Sequence, residues 1–127
     1  MIEAQIMKIK ITSNKTIEDI QSEFNKEFPF LKIQFFKHTH KEFQGSAKRE
    51  LIPIHTNIGL LKHHNGQIEI TADMTVSELE QLFKDKLGLN VQVFRKSGKS
   101  WLETTVTDSW TLKKQDDEGK ELSTLEN

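Results

Sequence analysis

The chain contains no cysteine among its 127 residues, which excludes disulfides, thiol nucleophiles and thiolate metal sites. Its formal charge of -1 and pI near 6.5 supply no basic field to draw phosphate backbones or anionic lipid. Neither a nucleic-acid nor a membrane partner is therefore expected. No apolar run approaches membrane-spanning length, and Met1-Ile2-Glu3-Ala4-Gln5 lacks the basic start of a secretory leader. A soluble cytoplasmic protein is the expectation. The six glycines are isolated, so no phosphate loop can be drawn, and no Gly-x-Ser-x-Gly elbow accompanies the serines.

The remaining candidates for chemistry are few. Zinc needs three or four converging ligands, and the five histidines do not provide that spacing. His38 and His40 are two apart, His63 and His64 are adjacent, and His55 stands alone. Glu18 with Asp19, and Glu78 with Glu80, fall in first helical turns, where acids complement the helix dipole. No catalytic residue, metal ligand or cofactor is assigned on these grounds.

What the chain does contain is an internal repeat. Ile9-Lys10-Ile11-Thr12, Thr16-Ile17-Glu18-Asp19-Ile20 and Phe24 align with Ile68-Glu69-Ile70-Thr71, Thr75-Val76-Ser77-Glu78-Leu79 and Phe83. The match resumes, one residue shorter, as Leu31 to Lys37 against Leu89 to Arg95. Met7, Ile9 and Ile11 alternate with Lys8 and Lys10, the pattern of a strand with one buried face. Thr16 with Asp19, and Thr75 with Glu78, are placed to form capping boxes. Ile17, Ile20, Phe24 and Phe28 share one helical stripe, as do Val76, Leu79, Phe83 and Leu87, with Pro29 and Gly88 as stops.

Two tandem βαβ units predict an α+β fold, a ferredoxin-like two-layer sandwich with an added C-terminal hairpin strand. A β-grasp fold is the rival, but it wants a hairpin before the helix. One domain over 1–115 is expected, with halves 6–38 and 66–96, a linker 39–65 and an acidic, solvated tail 116–127. The linker carries Leu51, Ile52, Ile54, Ile58, Leu60 and Leu61 around Pro53, so it should pack as an extra strand or covering loop. Thr111 to Glu118, before Gly119, reads as a short last helix. Ser97-Gly98 is expected as the two-residue centre of a hairpin turn. Phe94 would then face Trp101, Val93 would face Leu102 and Gln92 would face Glu103, whereas a three-residue loop would shift this by one.

Strand alternation carries the functional expectation. If Leu31, Ile33, Phe35, Val91, Val93 and Leu102 point to the helices, then Gln34, Phe36, Gln92, Phe94, Trp101 and Glu103 point away from them. A two-layer sandwich leaves that aromatic face to be covered by the linker or C-terminal segment, by a second subunit, or by a ligand or protein partner. RNA is disfavoured, because the strands Ile9-Lys10-Ile11 and Gln67-Ile68-Glu69-Ile70 carry no aromatic. The run Val91 to Gly98, with Trp101-Leu102-Glu103-Thr104 and Thr107 to Leu112, resembles a set of small uncharacterised bacterial proteins. That resemblance implies no activity and carries over no functional residue. The expected function is a non-catalytic binding or interaction module that uses this face, as a homodimer or with a protein partner. The alternative is a small enzyme or regulatory domain binding a small molecule between sheet and linker.

Overall fold

A computed structural model describes residues 6–37, 50–61 and 66–125. Strand β1 (Ile6–Ile11) leads to helix α1 (Ile17–Glu27) and strand β2 (Leu31–Phe36), and short helix α2 spans Ile58–Leu61. The second half repeats this order as β3 (Gly66–Thr71), α3 (Val76–Leu87) and β4 (Asn90–Ser97). Strand β5 (Ser100–Glu103) and helix α4 (Leu112–Leu125) complete the described chain.

Both helices begin as the threonines dictate. Thr16 and Thr75 are extended and accept from the Asp19 and Glu78 amides, at 3.2 and 3.1 Å. The acids return a bond to each threonine amide at 2.9 Å. Helix α1 stops before Pro29, and α3 stops at Gly88, whose φ of 65° is the left-handed conformation that glycine adopts most readily. One face of each helix is buried: Ile17, Ile20 and Phe24 on α1, Val76, Leu79, Phe83 and Leu87 on α3. Phe35 meets Phe83 edge to face at 5.5 Å, inside a single cluster that draws on both halves.

The strand pairing departs from a ferredoxin-like sheet. Such a sheet shares the antiparallel β1–β3 pair found here, but it would also set β2 beside β3 and β4 beside β1. Here β1 pairs with β3 and β2 with β4, both antiparallel, and β5 continues from β4, so the described strands form two separate sheets. The reason lies at the edges of β2. One edge is taken by β4. On the other, Gln21 and Asn25 of α1 donate side-chain amides to the Ile33 and Leu31 carbonyls, at 2.9 and 2.8 Å. Ile52 then donates its backbone N–H to the Phe35 carbonyl, and Lys37 donates to Glu50. No edge is left on which β3 could add.

The repeat is longer than the sequence shows. In the first half, Ile52 returns beside β2, and Ile54 and Thr56 offer carbonyls to the Glu18 and Ile17 amides at the start of α1. In the second, Thr104 returns beside β4, donating to the Val93 carbonyl, and Asp108 and Trp110 offer carbonyls to Ser77 and Val76. Ile58 and Leu112 then open α2 and α4 by donating to the equivalent carbonyls of Lys15 and Met74. Even the turns agree, since Thr12 bonds Asn14 and Thr71 bonds Asp73. Each half is therefore strand, capped helix, strand, return segment and helix, and the first strand of each pairs with that of the other.

Parts of the linker and the tail differ from expectation. Ile52 and Ile58 are buried as expected, while Leu51, Ile54 and Leu60 are exposed. Leu51 forms an isolated bridge with Phe36, and residues 38–49 lie outside the described residues. Residues 116–125 are not a solvated tail but most of α4, which docks on β4 and β2. Asp116 accepts from the Phe30 amide at 2.8 Å, and Gln115 is wholly buried. Gly119 lies so close that a Cβ there would stand 2.9 Å from that of Phe30.

Candidate functional site

The hairpin that carries the aromatic face has a different register from the expected one. Its central residues are Gly98 and Lys99, with Ser97 opposite Ser100, Lys96 opposite Trp101 and Phe94 opposite Glu103. Gly98 has a φ of 62°, which suits a turn of type II′ with glycine first. The shift moves each strand by one residue in opposite senses, so the faces are preserved. Phe94 and Trp101 become diagonal rather than direct neighbours.

Six residues were expected on this face, and the structure divides them. Phe36 and Gln92 are buried, at 8% and 6% exposure, and the Gln92 amide donates to the Val93 carbonyl at 3.1 Å. Gln34, opposite Gln92, is half-buried, as are Phe94 and Trp101, while Glu103 is exposed. The part of the face that remains presented is thus its Phe94–Trp101 end.

Two lysines complete that end. Lys32 stands opposite Phe94 across the β2–β4 ladder. Its Nζ lies 5.8 Å from the Phe94 ring centre and 4.9 Å from that of Trp101. Lys96 holds its own Nζ 5.7 Å from the Trp101 centre. These are distances at which a ring face attracts a cation. Lys32 and Lys96 share the alternation of Gln34 and Phe94, so the signal was in the sequence.

From Trp101 a shallow groove of about 420 Å³ runs past Lys32 and Gln34 to Gln21, Ser22, Asn25 and Glu18 on α1, with Ile54 at its side. The amide bonds from Gln21 and Asn25 to β2 fix this wall. A second depression of about 380 Å³ lies between Phe36, Pro53, Thr56 and Leu89. It is largely apolar and holds no acid or histidine.

Shifted carboxylates lie elsewhere: the Thr16 hydrogen bonds hold Asp19 below its usual range, and burial pushes Asp116 up within α4. His55 sits 3.7 Å from Glu18 and is exposed, while the other four histidines lie outside the described residues. No group of three metal-binding side chains occurs among the described residues. The first amides of α1 and α3 are taken by return-segment carbonyls, so neither N-terminus is open to an anion. No described helix is long and apolar enough to cross a membrane. Comparison with protein-family models, with curated proteins and with solved structures finds no match for this chain.

Proposed function

We propose that this chain is a non-catalytic interaction module whose contact surface is the Phe94–Trp101 end of the β2–β4–β5 sheet. Its partner is a protein surface, either a second copy of the chain or another protein, met in the cytoplasm. The observation that carries this reading is a half-exposed Trp101 on the Phe94 face of the sheet, with the Lys32 and Lys96 ammonium groups beside its ring. Tryptophan so placed is a frequent anchor of protein interfaces. An enzyme reading would call for acid–base groups converging in a closed cavity, whereas the groove beside Trp101 is shallow and open.

The test is Trp101→Ala. If the indole is a presented surface, its loss removes two exposed cation–π contacts and costs about 1 kcal/mol of stability. A core residue of that size would cost about 3–5 kcal/mol. Urea melts of parent and variant separate these values, and light scattering on the same samples reports whether the parent self-associates through this face. A core-sized loss with unchanged assembly would sink the reading.

A further inference from the structure

The arrangement of charge at Trp101 says more about the partner. Lys32 and Lys96 bring two ammonium groups to one indole, and attraction to an exposed ring is a weak substitute for a counter-ion. Some lysines have such partners: Lys8 meets Glu69, Lys15 meets Glu23 and Lys113 meets Asp117. Among the described residues no carboxylate lies within 4.0 Å of Lys32 or Lys96. Glu103, on the same face, has a contact of its own. Each ammonium carries three donors in a fixed place above an apolar plate.

We propose that Lys32 and Lys96 over Trp101 form a carboxylate-reading site, and that its occupant is an acidic segment of another protein. This rests on the interaction reading and names the partner for the same face. An Asp or Glu side chain bridges the two ammonium groups, and a neighbouring apolar side chain packs on the exposed flank of Phe94 and Trp101. The segment then follows the groove toward α1, where Gln21 and Asn25 hold ordered amides. Glu18 at the far end repels a second acid, so the acidic residues sit at the Trp101 end and neutral ones at the other.

The experiment uses the full chain with Trp110→Phe, so that Trp101 alone fluoresces. The probe is a short synthetic peptide of consecutive glutamates followed by serines, and its control has glutamine in place of glutamate. The expected result is a saturable change in Trp101 emission with the acidic peptide only, weakening as salt is raised. Lys32→Gln and Lys96→Gln should each weaken binding about tenfold, while Lys8→Gln on the other sheet leaves it unchanged. Equal weakening by Lys8→Gln, equal binding of the glutamine peptide, or full displacement by inorganic phosphate at the same concentration overturns the proposal. If no peptide binds but Trp101→Ala disrupts self-association, the occupant is a second copy and the acidic segment alone is wrong. A core-sized stability loss in Trp101→Ala removes the interaction reading as well.

Discussion

Thr16 and Thr75 occupy equivalent places, and each satisfies a helix amide that water would otherwise have to reach. Replacing either with alanine should lower stability by about 0.5–2 kcal/mol, read as a shift in urea midpoint. Midpoints equal to the parent would show that the hydroxyls are not needed as caps. Asp19, which answers Thr16, has its pKa depressed, chiefly by the Thr16 amide. The sign follows: its help is present above the unfolded pKa and fades as pH falls through the folded one. Both caps were legible in the sequence, because a capping box is a local spacing that needs no tertiary information. The aromatic site was legible only by half. Alternation assigned Phe94 and Trp101 to their face, but the burial of Phe36 and Gln92 depends on surroundings that alternation cannot report.

At the scale of elements, α4 begins where a short last helix was expected and runs on to Leu125. Its buried residues include Leu112 in the core cluster, Gln115 and Gly119, and several of its attachments are polar. Gln115 accepts from Arg95 and donates to Thr107, and Asp116 accepts from Phe30. Acids in sequence suggested a solvated tail, and the pattern was ambiguous because a helix docked by polar groups lacks a strong apolar stripe. Gly119→Ala should destabilise the protein by about 1–3 kcal/mol even though alanine is the better helix former, because the new methyl would meet Phe30. An unchanged or raised midpoint would mean that α4 can retreat freely. Asp116 gives a second prediction with the opposite sign. Burial raises its pKa against the amide bond from Phe30, with Asp117 adding to the rise and Lys113 and Lys120 opposing it. A raised carboxylate pKa contributes stability below the unfolded pKa and loses it as pH climbs through the folded one. Asp116→Asn keeps an oxygen for the Phe30 amide and removes the charge. Its melting temperature at pH 7 should match or exceed the parent's, and any gain should shrink on acidification; a clear loss at neutral pH would show that the charge itself is used. The hairpin register differs for a smaller reason: glycine fits either central position, and only the pairing of Ser97 with Ser100 places it first.

For the whole molecule, the two halves are tied at both of their strand positions, β1 to β3 and β2 to β4. Phe24 and Phe83 are both fully buried in the one cluster. Truncating either to alanine should cost about 3–5 kcal/mol and shift a single unfolding transition followed equally by fluorescence and circular dichroism. Two separated transitions, one sensitive to each substitution, would show that the halves unfold independently. The βαβ order and the duplication were readable because strands and capped helices leave side-chain patterns. The return segments were not, since Ile52 to Ile58 and Thr104 to Leu112 differ in length and share their geometry through backbone hydrogen bonds, which impose no residue type. The exchange of first strands also orders events during synthesis. When β1 leaves the ribosome its hydrogen-bonding partner has not yet been translated, and when β2 follows, neither has β4. The first half must therefore wait as an unpaired chain until the second is nearly finished. A premature stop after Leu61 would release β1 and β2 without their ladder partners, while the slow closing of these long loops sets the pace of folding for the complete chain.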